Sequence, residues 1–147
     1  FLTGQVAETP VRFWLGPIKF MNSKEIGILG EKIAEKYLKE KGYKILEKNF
    51  KRKWGEIDIV AKKKNKLIFF EVKTLQQTPD EIFLPEDEVD FKKKKQLRKI
   101  TQIYLSEKKI PLESDYQIDI LAIRLPPRAG LSKMKIEHFE NAIEDTF

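Results

Sequence analysis

Apolar residues recur at Ile26, Leu29, Ile33 and Tyr37, the spacing of one helix face. The run spans Ser23 to Lys41, with Asn22 placed to cap its start, Glu25 three residues on, and Gly42 to stop it. Lys44 to Lys51, with Ile45 and Leu46, reads as a strand. The period then changes to two. Gly55-Glu56-Ile57-Asp58-Ile59-Val60-Ala61 and Leu67-Ile68-Phe69-Phe70-Glu71-Val72-Lys73 flank a polar turn, the pattern of a β-hairpin. Asp90 to Lys108 returns to helical spacing through Leu97, Ile100, Thr101 and Tyr104. Tyr116 to Ile123 is a strongly apolar strand carrying Asp119 and closed by Pro126-Pro127, and Lys133 to His138 reads as a last edge strand. The order predicts an α/β domain with a mixed central sheet.

A two-residue tip at Lys64-Asn65 sets the hairpin register, because Asn tolerates the left-handed backbone of a tight turn. Residues whose numbers sum to 129 then face each other: Val60 and Phe69, Asp58 and Glu71, Glu56 and Lys73. Alternation puts these six on one face and Ile57, Ile59, Ile68, Phe70 and Val72 on the other, a core face. Opposed carboxylates repel, so one takes up a proton or a cation. Nearby carboxylate oxygens are what Mg²⁺ requires, and Lys73 leans over the same place. A half-exposed hairpin with ordinary surface charges has the same residues, and spacing alone does not choose between the two.

Composition narrows the chemistry. The 147 residues fit one domain, and 41% hydrophobic content suffices for one core. A net charge of +6 favours a polyanionic partner, although it also serves solubility. The absence of cysteine excludes disulfides, a thiol nucleophile and Cys-ligated zinc. His138 is the single histidine, so a metal within one chain would need carboxylates. It reads as structural or surface. No apolar run approaches the ~20 residues that span a bilayer, and a cytoplasmic location without membrane association is expected.

Residues 1–21 lack a helical or alternating pattern and are expected to form an extension outside the core, leaving 22–147 as a single domain; the alternative is an arm that docks on the domain through Phe13, Trp14 and Phe20. Lys51-Arg52-Lys53-Trp54 joins a basic cluster to an aromatic, suited to phosphate contact and base stacking, or equally to a solvated loop. Thr74 to Val89 is polar and acid-rich, with Pro79 and Pro85, and reads as a long loop that shields or gates. Lys93 lies one turn before Leu97 and points past the core towards the end of the sheet. Glu31 sits at the edge of the first helix's stripe beside Gly27, Ala34 and Leu38. On geometry alone it is a boundary glutamate, with Glu35 its rival.

Asp58, followed thirteen residues later by Glu71-Val72-Lys73, resembles the core of the PD-(D/E)xK nucleases. The surrounding words resemble the bacterial YraN-like family of predicted endonucleases. They are Gly30-Glu31, Gly42-Tyr43, Ile45-Leu46, Asn49, Gly55-Glu56-Ile57-Asp58, Phe70-Glu71-Val72-Lys73, Val89 with Lys93, Tyr104-Leu105, Asp119, Ile136-x-His138 and Asn141-Ala142. The ordered set runs from about Ile26 to Ile143. The resemblance implies a restriction-endonuclease-like αβββαβ core. It implies Mg²⁺ or Mn²⁺ held by Asp58, Glu71, the Val72 backbone carbonyl and Glu31, with Lys73 as a further catalytic group. DNA is the implied substrate, with Lys93 carried over from the family as a contact, and the basic cluster of Lys51, Arg52 and Lys53 adds candidate contacts by residue type. The family's Lys-Gln pair is altered, since Lys93 precedes Lys94 and Gln96 is displaced. Holliday-junction resolvases share the core and act as dimers, so a homodimer is open, although these residues show no dimer face.

Three functions compete: a metal-dependent endonuclease hydrolysing DNA, a nucleic-acid-binding module on the same scaffold, and a protein adaptor. Clustered carboxylates favour the first over the second, and the charge of +6 favours either over the third.

Overall fold

The computed structural model describes residues 5–7, 21–76, 91–125 and 134–143. Its elements are β1 (Gln5–Ala7), α1 (Ser23–Glu40), β2 (Lys44–Arg52), β3 (Gly55–Lys63), β4 (Lys66–Gln76), α2 (Phe91–Glu107), β5 (Tyr116–Leu125) and β6 (Lys135–Phe139). The expected Asp90 cap, the Pro126-Pro127 stop and Lys133 lie outside the described residues. So does the expected loop beyond Gln76; its first three residues instead continue β4.

The described strands form one sheet in the order β1-β6-β5-β4-β3-β2. Among them β4 and β5 run parallel, joined through α2, and the other pairings are antiparallel. The result is a mixed α/β sheet with a helix packed on each face. Gln5–Ala7, inside the segment expected to stand outside the core, pairs with β6. That pairing corrects one expectation, because β6 is not an edge strand.

Local signals act where the sequence placed them. Asn22 Oδ1 accepts the Glu25 N–H at 2.8 Å, capping α1. Lys64 and Asn65 both adopt positive φ, 52° and 50°, the backbone a two-residue hairpin turn demands. The β3–β4 ladder from Lys63↔Lys66 to Ile59↔Phe70 follows the expected register.

Two apolar layers cover both faces of the hairpin. Val60 and Phe69 pack with Leu97, Ile100 and Tyr104 of α2. Ile59, Ile68 and Phe70 pack with Ile33, Ala34 and Leu38 of α1. Ile57 departs from the expected alternation and joins the α2 layer. On the neighbouring strand Phe50, paired with Ile57, also faces α2, whereas Lys48, paired with Ile59, reaches Glu35 of α1. Asn49 lies between them at φ 54°, and this left-handed residue accompanies the change of face. The sheet therefore changes its facing one residue either side of Asp58.

Asp119 is fully buried on β5. It lies 2.7 Å from His138 Nε2 and accepts the Gln117 amide and the Asn141 N–H, each at 2.8 Å. The rings of Tyr37, Tyr43 and Phe70 surround His138. The lone histidine is thus a core group that fastens β6 and the following turn to β5.

Helix α1 approaches β4 closely at Gly30. A Cβ there would overlap Thr74 Oγ1 and stand 2.6 Å from Thr74 Cβ, which rotation of the threonine cannot relieve. Gly30→Ala gains ~1 kcal/mol of helix propensity, but overpacking of this kind costs ~1–3 kcal/mol. A net loss of stability is expected in urea titration. Measured against Thr74→Gly alone, Gly30→Ala with Thr74→Gly should show no such loss, since that pair removes all three of the clashing threonine atoms.

Candidate active site at the strand fork

The β3–β4 ladder ends at Ile59↔Phe70, although both strands continue. Beyond it β3 stays with β2 through Ile57, Glu56 and Gly55, and β4 stays with β5 through Gln76. The two strand pairs part like a fork, with Asp58 and Glu71 at the crotch. The expected facing of Glu56 and Lys73 does not occur within the ladder, and Glu56 instead stands opposite Lys51.

In an antiparallel ladder, hydrogen-bonded pairs recur every second residue. After Ile59↔Phe70 the next would be Ile57↔Val72. The Asp58 side chain takes that place: its Oδ2 accepts the Val72 N–H at 2.7 Å. Within a strand the N–H and C=O of one residue project to the same side, so the Val72 carbonyl also faces the fork.

Asp58 and Glu71 are both buried, each 7% exposed. Burial first, and then the Glu71 charge, push the Asp58 carboxyl up to about 7, and the two carboxyls lie within hydrogen-bonding reach. Burial also raises Glu71, opposed by Lys93, by the Asp58 hydrogen bond and by Lys73. Lys93 Nζ stands 3.3 Å from Glu71 Oε1. Glu71 Oε2 is buried without a donor unless Asp58 supplies one. The two lysines favour the Glu71 anion, whereas the charges acting on Asp58 are those of Glu71 and Glu56, which favour its neutral form. The chain of contacts runs from the Val72 N–H through Asp58 and Glu71 to Lys93.

Glu31 arrives from the other face. The close approach at Gly30 brings its neighbour towards the fork. Burial and then the Asp58 charge raise the Glu31 carboxyl, while a hydrogen bond from Asn49 lowers it. Its rival Glu35 is engaged elsewhere, 2.8 Å from Lys39 and 2.9 Å from Lys48. Asn49 has a positional role that its type only hinted at: it turns the backbone and holds Glu31.

The basic residues separate into groups. Lys51, Lys53 and Trp54 are exposed at the fork end of the sheet. Arg52 is already held: it makes two hydrogen bonds to Glu107, at 2.9 and 2.7 Å, and lies over the Phe50 ring. The basic hairpin tip around Lys64 is six residues from Asp58, roughly 20 Å at ~3.3 Å per residue, so it belongs to another part of the surface.

Among the described residues, no three carboxylate or imidazole groups gather closely enough to cage a metal. Two carboxyls meet there, and strand geometry puts the Val72 carbonyl on the same edge of β4 as the N–H that Asp58 accepts. That set suits Mg²⁺, which binds through one or two carboxylates and keeps its remaining positions for waters and substrate phosphates. The buried orphan oxygen on Glu71 is a place for a cation or proton.

No helix among the described residues is long and apolar enough to cross a membrane. The chain matches the family model described as "Uncharacterised protein family UPF0102" over residues 30–123, a span holding Glu31, Asp58, Glu71, Lys73 and Lys93. It is 45% identical over 127 residues to a UPF0102 protein of Caldanaerobacter subterraneus subsp. tengcongensis, covering 85% of this chain and 99% of that one. A UPF0102 protein of Dictyoglomus turgidum is 38% identical over 122 residues, covering 83% and 99%. One from Thermodesulfovibrio yellowstonii is 42% identical over 120 residues, covering 80% and 95%. These names carry no activity, but near-full coverage at such identity settles kinship: the chain belongs to the UPF0102 family, the YraN-like group its sequence words resemble.

Proposed function

We propose that this protein is a Mg²⁺- or Mn²⁺-dependent endonuclease that hydrolyses phosphodiester bonds in DNA, built on a restriction-endonuclease-like core. The observation that carries the reading is the buried Asp58–Glu71 pair at the fork, with lysines from β4 and α2 acting on Glu71. A carboxyl pair of this kind weakens a sheet, so its presence calls for a ligand. The order α1-β2-β3-β4-α2-β5 also follows the αβββαβ pattern of that core.

In net hydrolysis a water oxygen bonds to phosphorus, the bond to the leaving sugar oxygen breaks, and that oxygen gains a proton from the water. Asp58, Glu71 and the Val72 carbonyl would hold the ion, with Glu31 supporting through water. The ion, when bound, makes its water more acidic and offsets phosphate charge. Lys73 places positive charge where the phosphorane becomes more negative. Lys93 opposes the effect of burial on Glu71 and would add positive charge beside the phosphate.

The lack of a ready three-ligand cage among the described residues favours one second reading, a DNA-binding module with little turnover. A screen of duplex, single-stranded, flap and four-way DNA with each metal separates them. Cleavage that EDTA stops is expected. Salt-dependent binding without cleavage would give the module, and no salt-dependent affinity for any nucleic acid would give the adaptor.

A further inference from the structure

Trp54 occupies a costly position. It is 47% exposed in the two-residue connection between β2 and β3, where Arg52 pairs with Gly55. The connection needs no tryptophan, because the positive φ that follows it, 148°, falls on Gly55. Gly55 sits against α2, 3.5 Å from Gln96 Cγ when a Cβ is placed on it, so the turn is held close to that helix. Two cations attend the ring: Lys53 Nζ at 5.8 Å and Lys99 Nζ at 5.4 Å from its centre. An exposed indole flanked by ammonium groups offers a stacking face and phosphate partners together. Trp54 stands in the turn just before β3 and four residues before Asp58, at most roughly 13 Å along the chain at ~3.3 Å per residue. That is about four stacked nucleotide steps at ~3.4 Å each. The intervening Glu56 stands opposite Lys51, which offsets its charge.

The geometry points to a stacking platform at Trp54, with Lys53 and Lys99, for an unpaired DNA base beside the fork. A ring on the protein surface stacks only on a base that a duplex has released. The substrate therefore carries a single-stranded segment next to the phosphate at Asp58 and Glu71. This names the substrate class of the nuclease site and rests on that reading.

The test uses the full chain carrying Trp14→Phe, which leaves Trp54 as its single tryptophan. Metal is removed with EDTA. Oligodeoxythymidine is compared with a duplex of equal length sealed at both ends by base-free ethylene-glycol linkers. Trp54 emission should be quenched by the single strand, with at least about tenfold tighter binding than to the sealed duplex. Trp54→Leu should weaken single-strand binding about tenfold, leave the sealed duplex within twofold, and lose less when replaced by Trp54→Phe. Lys53→Gln with Lys99→Gln should lower the log–log salt slope by about 1.4, at ~0.7 for each phosphate no longer neutralised. Unquenched emission, or an equal loss on both DNAs in Trp54→Leu, overturns the platform. Cleavage assays with Mn²⁺ separate the two readings. Equal cutting of sealed and flap DNA by wild type and Trp54→Leu keeps the nuclease and removes the platform. Quenching with the Trp54→Leu loss, but no cleavage of any DNA, keeps the platform and removes the nuclease.

Discussion

Asp58→Asn should abolish metal-dependent cleavage, by about a thousandfold or more, while making the metal-free chain more stable at pH 8. The catalytic loss follows if Asp58 is a charged ligand, because an amide oxygen replaces a carboxylate at a site with few others. The gain follows from burial. The folded Asp58 carboxyl titrates at about 7, against ~3.9 when unfolded. Between these values the folded chain holds the extra proton, so stability falls as pH rises. This stabilisation is complete below pH ~4, is lost progressively towards pH ~7, and is absent above. At ~1.4 kcal/mol per pKa unit the effect is a few kcal/mol. Glu71, also raised by burial, acts with the same sign. Asparagine needs no proton to be neutral. Its oxygen can accept the Val72 N–H and its amide can donate to the orphan Glu71 oxygen.

Melting curves from pH 5 to 9 check this. Wild type should lose stability through pH 5–7, Asp58→Asn much less, so the gap widens with pH. Mn²⁺ should restore wild type at pH 8 by binding the folded state, and should do little for the variant. Parallel profiles, with equal Mn²⁺ affinity by calorimetry, would remove the metal site from Asp58.

Lys73→Ala should lower cleavage about 100-fold or more with DNA affinity changed less than about threefold. Loss of one preorganised charge at the transition state has this scale, whereas one phosphate contact among many is a small share of polyelectrolyte affinity. The Asp58–Glu71 pair remains, although Glu71 loses one of the charges that favour its anion. Lys51→Gln with Lys53→Gln should do the opposite, weakening binding and flattening its salt dependence while turnover at saturation stays near normal. Arg52 is the poorer choice for that contrast, because its guanidinium is bound to Glu107 and its loss disturbs a contact between β2 and α2. Single-turnover cleavage beside filter binding at several salt concentrations reads both quantities. Equal losses of binding and cleavage in Lys73→Ala would reduce Lys73 to a phosphate contact.

The elements and the hairpin were legible in the chain alone. Capping at Asn22, the Lys64-Asn65 turn and the apolar spacing are local signals, and each acts within a few residues. The turn also sets the register, so the placement of Asp58 near Glu71 could be read before any tertiary contact. What that hairpin does at its open end came from packing. Alternation predicts an unbroken ladder, yet β3 leaves with β2 and β4 leaves with β5. That choice depends on partners distant in the chain, which no local period encodes. The same holds for the two rival glutamates of α1, of which Glu31 feels the Asp58 charge while Glu35 pairs with Lys39 and Lys48. It holds for Arg52, whose charge is taken by a glutamate 55 residues away, and for His138, buried against Asp119. Residue type states what a side chain can do. Burial and charged neighbours, which only packing supplies, decide which carboxyl tends to keep a proton and which tends to ionise.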